Sequence, residues 1–535
     1  MTTPYSEGSP SAKICFIGEA PANYEMLHQK PLVGPTGKIF DELLHQADIY
    51  RATSSIQNVC RRPISKKHGL TDSKNRLTEK GLAVQRDLFT RMENHSANVY
   101  VPMGNLALAM LSDYSGITKY RGSAYIGHEG RKLLPTIHPA ATIHGKYIDK
   151  YTIASDLKTA KAESSHSDLT LMPRTMEINP SFPTVVKYLT ALNEEDATFA
   201  CDIECLWHQV SCLSFSRSPE HALCIPFFGT PHPWSESEEA EIWRLIARIF
   251  DNPACTAVFH NAMFDVSFLY LQNMMRFNCT VHCTLIMHRI LYPDFPASLQ
   301  FVTSVYTDMQ YYKDERKIWS KPWVDPDTFY RYNCKDSLAT ITAFPQLHAE
   351  IQKSPGMRWT YNETMSNFWP CLYMMAHGIQ LDLDNLGRMK VKIDAELKAK
   401  TEELNRASDN GHEFLYTSPK QVMEYFYGHK GCHPYVNRKT GQPTSDDEAM
   451  ARIHRKYNLP EARLVQECRA LRKLFGTYLD ITFDQDRRLR CFYDPRGTST
   501  GRLSSSKTIF ETGLNFQNID PRFKEFIVCD NIQGA

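Results

Sequence analysis

Short apolar runs alternate with amphipathic stretches through residues 1–350, and long amphipathic stretches dominate beyond them. Residues 13–17, Lys-Ile-Cys-Phe-Ile, have the pattern of a buried strand, apolar after one polar residue, and residues 198–201 and 256–259, each opening on Thr, repeat it. Residues 38–47 and 238–250 carry apolar positions at helical spacing. Strands alternating with helices in this way predict layered α/β domains. Residues 158–183 mix Ser, Lys, Asp and Pro without a period, which predicts a linker. From Met357 the pattern turns helical: a long charged amphipathic helix over 386–407, and another over 461–480 bearing Arg463, Arg469, Arg472 and Lys473. No internal repeat is present. The expected division is a domain over 1–160, a linker over 161–183, a second domain over 184–350 and a mostly helical part over 351–535.

Composition narrows the class. A chain of 535 residues has room for three or four domains. Lys and Arg number 61 against 60 Asp and Glu, so no global charge attracts a polyanion and any nucleic-acid footprint must be local. One local excess stands out: between Arg452 and Lys507, 13 basic residues face 6 acidic ones. The 15 cysteines lack the spacing of a secreted disulfide framework, and the first eleven residues do not resemble a signal peptide. Reduced, mostly buried thiols and a cytoplasmic location follow as the expectation. No apolar run is long enough to cross a bilayer, so no membrane partner is expected.

Three acidic motifs bring chemistry. Asp202-Ile203-Glu204 follows the run at 199–201, and residues two apart on a strand point to the same side. His260-Asn261-Ala-Met-Phe-Asp265 follows the strand predicted over 256–259 and adds a third carboxylate. Tyr332-Asn-Cys-Lys-Asp336 reads as helix, where residues four apart share a face. Hard oxygen donors with few imidazoles suit Mg²⁺ or Mn²⁺ better than zinc. Two such ions about 3.5–4 Å apart can activate a water, clamp a phosphate and stabilise the departing 3′ oxygen. Tyr332 can orient that water. One Asp-x-Glu by itself is usually a solvated strand edge, whereas the three motifs in this order are specific.

Together they resemble the DnaQ-like proofreading exonucleases of the ribonuclease-H-like fold, in their tyrosine-bearing branch. The resemblance implies Asp202, Glu204, Asp265 and Asp336 as ligands of two ions, and Tyr332 as the water-orienting residue. Further on, Met375-Ala-His-Gly378-Ile-Gln-Leu-Asp382 and Thr417-Ser-Pro-Lys-Gln421 resemble landmarks in the thumb of family A DNA polymerases. Thr498-Ser-Thr500-Gly501-Arg502-Leu503-Ser504-Ser505 and Leu514-Asn-Phe-Gln517-Asn518-Ile519 resemble that family's stretch along the primer–template backbone, with Phe516 a departure. This implies DNA contacts at Thr500, Arg502, Ser504, Ser505, Gln517 and Asn518, joined by Arg472 from the basic helix. In that family a palm with catalytic aspartates and a fingers helix follow, whereas only 529–535 follow here. The expectation is a truncated chain, or one half of a split polymerase whose palm and fingers come from a second chain.

The amino-terminal segment carries a different set. Gly18-Glu19-Ala20-Pro21, Pro31-Leu-Val-Gly34-Pro-Thr-Gly37, Asn58-Val-Cys-Arg-Arg-Pro63, Met103-Gly104-Asn105, Arg121-Gly122 and Thr136-Ile-His138-Pro139-Ala140 occur in that order. They resemble the uracil-DNA glycosylase superfamily, closest to the branch that often carries an iron–sulfur cluster. The resemblance implies Glu19 and His138 as catalytic residues over a flipped-out base, with Asn58 reading the base edge. Three departures qualify it. The paired cysteines before the first strand are absent, so no iron–sulfur cluster is expected; Leu32 stands where a stacking Phe is usual; and Ala22 replaces a Gly.

The expected architecture is therefore multidomain α/β: a glycosylase-like α/β/α domain, a ribonuclease-H-like exonuclease domain and a mostly helical polymerase thumb. The expected function is that of a bacteriophage replication protein acting on DNA in its host's cytoplasm, with the glycosylase-like domain either excising uracil or only gripping template. A free-standing repair nuclease and a non-catalytic DNA-gripping subunit are the rival readings.

Overall fold

The computed structural model describes residues 2–535 apart from 66–68, 144–146, 195–196, 230, 321–324, 409–412, 439, 485, 499 and 529–535. The chain divides into two compact units, 1–365 and 366–535.

The first unit holds two six-stranded sheets. The amino-terminal one contains β1 (Ser6–Glu7), β2 (Ile14–Gly18), β3 (Ser55–Asn58), β4 (Val99–Pro102), β5 (Tyr125–Ile126) and β6 (Lys132–Leu133), in the order β1-β3-β2-β4-β6-β5. The four inner strands run parallel and the two edges antiparallel. β2 is buried along its whole length, as its continuous apolar run requires when helices cover both faces. Phe16, Phe40, Leu43 and Leu157 fill one face, and Ile17, Leu88, Leu106 and Met110 the other.

The second sheet contains β7 (Thr175–Glu177), β8 (Thr198–Leu206), β9 (Gln209–Ser218), β10 (His221–Pro226), β11 (Thr256–Phe259) and β12 (Thr280–Cys283), in the order β12-β11-β8-β9-β10-β7. β8 lies in its centre, parallel to β11 and antiparallel to β9. The helix Pro326–Lys353 packs across β8, β9 and β10.

Three sequence expectations shift in the first unit. The stretch read as a linker is partly built into the second sheet: β7 pairs in parallel with β10, and Ser181 caps the helix Phe182–Leu192. An edge strand needs only one partner and tolerates polar residues, so its sequence carries no apolar signature. Asp202 and Glu204 lie inside β8 rather than beyond the end of a strand. The last helix of the first unit, Pro355–Ser366, runs past the expected boundary at 350.

The second unit is mostly helical. The long helix Leu383–Ser408 buries Leu386, Ile393, Leu397 and Leu404, which share a core with Leu464, Val465 and Leu471 of the helix Pro460–Leu474. That second helix ends at Leu474 and widens into a looser turn over Phe475–Leu479, short of the expected 480. Two small antiparallel pairs complete the unit: β13 (Gln380–Leu381) with β16 (Ile527–Val528), and β14 (Phe492–Asp494) with β15 (Ser504–Ser506). Gly378 adopts φ +65° where a Cβ would lie 2.8 Å from the Leu489 carbonyl oxygen, so this turn requires glycine.

Among the described residues no helix is long and apolar enough to cross a membrane.

Candidate active site

Alternation along β8 sends Asp202 and Glu204 to one face of the sheet, and the helix Pro326–Lys353 brings Asp336 to meet them. Carboxylate oxygens from these three residues lie within 4.8 Å of one another. Asp265, on the helix Ala262–Gln272, stands beside this group rather than in it: its Oδ1 accepts the Ile203 backbone N–H at 3.2 Å. The expected four carboxylates thus arrive as three converging and one turned onto the β8 backbone.

Burial makes the cluster electrostatically demanding. Desolvation, then repulsion from Asp336 and Asp265, holds the Asp202 carboxyl well above the ordinary carboxylate range. Desolvation and Asp202 do the same to Glu204, and burial pushes Asp265 up to about 8. Carboxylates packed this closely away from water need positive charge. A convergent set of hard oxygen donors fits divalent ions of the Mg²⁺ class.

Several neighbours order the cluster. Asn333 donates to the Asp202 carboxylate at 2.7 Å. Lys313 donates to both Asp336 oxygens at 2.6 Å and to the Tyr332 hydroxyl at 3.0 Å, and the Tyr312 hydroxyl donates to Asp336 at 2.6 Å. His260 is hydrogen-bonded through both ring nitrogens, to Thr284 and to the Ala297 carbonyl, which makes it a structural residue of the second motif. Cys201, immediately before Asp202, is a buried thiol whose pKa is raised by burial.

The amino-terminal motifs gather at the carboxyl ends of parallel strands, where α/β sheets bind ligands. Gly18 ends β2 opposite Asn58, which ends β3, and the Cys60 backbone N–H donates to the Glu19 carbonyl. A Cβ on Gly18 would lie 2.3 Å from Asn58 Oδ1, so this glycine makes room for the buried amide. Met103 bridges to Thr136, which brings Gly104 against His138. His138 Nδ1 accepts the Ala140 N–H at 3.2 Å, leaving the ring proton on Nε2, and desolvation lowers its pKa to about 4. Glu19 is exposed at the mouth of the same loop. Leu32 is buried in the core with Phe16 and Phe40. Arg121 forms a buried ion pair with Asp156, which also accepts from Thr136, so that motif arginine is spent on structure.

In the second unit, Thr498 Oγ1 accepts the Arg502 N–H at 2.9 Å, and Gly501 at φ +78° closes the turn. The side chains of Thr500 and Arg502 are left exposed, as is Arg472 on its helix and Asn518. Ser504, partly buried in β15, is crowded by Gly497, where a Cβ would lie 1.7 Å from its hydroxyl. Ser505 departs from the expectation of a DNA contact. It is buried and donates to Asn515 Oδ1 at 2.6 Å, because β15 turns it inward onto the loop that follows. Gln517, although exposed, donates through Nε2 to the Leu503 carbonyl at 2.8 Å. Part of the basic excess is likewise neutralised within the fold: Arg463 pairs with Glu467, Arg490 with Asp484 and Asp486, and Arg469 donates to the Tyr416 and Ser445 carbonyls.

Sequence reasoning missed Tyr312 and Lys313, and gave Asn333 no role. Asn333 lay inside the quoted third motif, one turn from Asp336, and its spacing could have assigned it. Tyr312 and Lys313 stand where an irregular segment passes into the short 3-10 helix Lys313–Ser320, so no local signal pointed to them.

Comparison with known proteins fits this geometry. Residues 5–154 match the uracil DNA glycosylase superfamily, 226–352 a 3′–5′ exonuclease family and 383–528 DNA polymerase family A. The exonuclease match begins after β8, so the tie between Asp202, Glu204 and the later motifs comes from the sheet itself. The chain is 20% identical to a DNA polymerase of Bacillus phage SP01, over 94% of this chain and 62% of that protein. It is 24% identical to a DNA polymerase of Escherichia phage T5, over 53% of this chain and 36% of that protein. Its amino-terminal part is 29% identical to a type-4 uracil-DNA glycosylase of Thermotoga maritima, over 29% of this chain and 80% of that protein. The chain thus spans less than two thirds of the phage polymerases it matches.

Proposed function

Because this chain joins a uracil-DNA glycosylase superfamily domain, a 3′–5′ exonuclease domain and a family A DNA polymerase domain, we propose that it is a DNA replication and repair protein that removes nucleotides from DNA 3′ ends. The observation that carries this reading is the convergence of Asp202, Glu204 and Asp336 within 4.8 Å, on the helix face that also presents Tyr332. Two Mg²⁺ or Mn²⁺ ions held by these residues, with Asp265 as the fourth carboxylate, would supply water activation and charge stabilisation on the leaving oxygen. The chain's own groups set the rest of the geometry. Asn333 fixes the Asp202 carboxylate, Asp265 braces β8 at Ile203, and the Tyr332 hydroxyl orients the attacking water.

In this reading the domains are built around 1–160, 184–350 and 351–535, the second extended by β7 before it and by the helix Pro355–Ser366 after it. The last grips primer–template duplex through Arg472, Thr500, Arg502, Ser504, Gln517 and Asn518. Nucleotide addition would depend on palm and fingers segments beyond residue 528, in a second chain or in a longer form of this one. The protein would act in the cytoplasm of a bacterial host. The amino-terminal domain would hold a flipped-out base among Glu19, Asn58 and His138. A neutral His138 with its proton on Nε2 is suited to hydrogen-bond developing negative charge on a base.

The test is a 3′-labelled mismatched duplex incubated with the purified protein and Mg²⁺. Stepwise trimming from the 3′ end is expected, and its persistence in Asp202→Ala would overturn the site assignment. A uracil-containing oligonucleotide in the same assay decides the amino-terminal domain: abasic product lost in His138→Ala supports excision, and no abasic product reduces the domain to binding.

A further inference from the structure

The segment 309–314 touches two domains at once. On one side the glycosylase-like domain holds it through five residues. Ser123 donates to the Met309 carbonyl at 3.0 Å, and Gln310 donates to the Ala124 carbonyl at 2.8 Å. The Tyr311 backbone N–H donates to the Tyr125 hydroxyl at 2.8 Å, and Tyr120 packs edge-on to the Tyr311 ring. Lys119 pairs with Asp314 at 2.8 Å. On the other side the next two side chains enter the carboxylate cluster, where Tyr312 bonds Asp336 and Lys313 bonds Asp336 and Tyr332. The far end is tied to the catalytic helix by Glu315 and Lys335 at 2.6 Å.

We infer that Lys313 is a positioning residue of the nuclease centre, and that the glycosylase-like domain sets its place through Lys119, Ser123 and Tyr125. This rests on the exonuclease reading of the carboxylates. The ammonium engages both oxygens of Asp336, so it competes with a divalent ion for that carboxylate while steering the Tyr332 hydroxyl. A two-residue reach from clamp to cluster leaves little slack. Loosening the clamp therefore loosens the lysine, and the amino-terminal domain becomes part of the neighbouring active site rather than an independent module.

This arrangement separates metal binding from hydrolysis in a way that general damage does not. Lys313→Met should bind Mn²⁺ about tenfold more tightly by calorimetry yet trim a single-stranded 3′ end about tenfold more slowly, the loss lying in kcat rather than KM. Lys313→Arg should restore both towards the parent. The clamp variant Lys119→Met with Tyr125→Phe should move both quantities in the same directions, by about threefold, and should add nothing in a Lys313→Met background. Weaker Mn²⁺ binding in Lys313→Met, or clamp effects that add to it, would overturn the inference. So would an unchanged clamp variant. Lys313→Gln serves if the Met variant does not fold, as judged by circular dichroism. If the parent chain trims no DNA, the exonuclease reading fails, and the Mn²⁺ titrations still decide whether Lys313 and its clamp control the cluster.

Discussion

The Asn333 side-chain amide donates to the Asp202 carboxylate at 2.7 Å and to the Asp202 backbone carbonyl at 3.1 Å. One fully buried amide therefore fixes both the rotamer of a candidate ligand and the position of its strand. Ser214 on β9 closes the arrangement by donating to the Asn333 carbonyl at 2.9 Å. The helix that carries Asp336 is thereby registered to the strand that carries Asp202.

Asn333→Ala should reduce 3′ trimming by about 10–100-fold, the usual cost of removing a group that orients a ligand. It should also destabilise the first unit by about 1–3 kcal/mol, because buried acceptors lose their donor. Rate and thermal midpoint measured on one preparation check both, and an unchanged rate would remove Asn333 from the site.

The carboxylate cluster is a source of instability that cations relieve. An acid whose folded pKa is raised, such as Asp265 at about 8, weakens the fold as pH climbs from its ordinary 3.8 to that value. At neutral pH, Mg²⁺ should therefore raise the thermal midpoint of the parent protein, and a chelator should reverse the gain. Asp202→Asn removes one repelling charge, so it should melt higher than the parent without metal while losing nuclease activity. A lower metal-free midpoint for Asp202→Asn would contradict this account.

Acid acts oppositely through buried imidazoles. Burial lowers His282 from its ordinary 6.5 to about 4, with a smaller contribution from His348, and its Nδ1 is hydrogen-bonded to the Tyr361 hydroxyl at 2.9 Å. A depressed folded pKa means that this stability is complete above pH 6.5 and lost as pH falls towards 4. The loss should reach roughly 1–3 kcal/mol. His282→Gln should flatten the pH dependence of the midpoint over that window, and the parent–variant difference isolates the imidazole from the carboxylates. Parallel curves would rule the histidine out.

Two neighbouring residues of the basic loop should behave differently. Arg502 is exposed on a pinned turn, so Arg502→Ala should weaken duplex binding uniformly across sequences and reduce the slope of log K against log salt by about 1. Ser505 is buried against Asn515. Ser505→Ala should leave the salt slope unchanged and lower the melting temperature of the second unit. Fluorescence anisotropy at several salt concentrations distinguishes the two; a salt-slope change for Ser505 would return it to the DNA surface.

The sequence by itself determined the three kinds of domain, the central strands and the acidic motifs. These features are local: the buried part of a central strand must be apolar, as residues 14–17 of β2 and 257–259 of β11 are, and residues two apart on β8 or four apart on a helix share a face whatever surrounds them. Tertiary structure alone decided which groups complete the site. β7, Thr-Met-Glu, carries a single apolar residue because an edge strand is half solvated, so nothing in its composition separates it from a linker. Asp265 turns to the Ile203 N–H, and Ser505 turns inward, because partners distant in sequence offer those bonds. Tyr312 and Lys313 sit where an irregular segment enters the short helix Lys313–Ser320, and they acquire their role from Asp336 on one side and from Lys119 and Tyr125 on the other. Periodicity records which face a residue takes, and only the packed chain records which charge it meets.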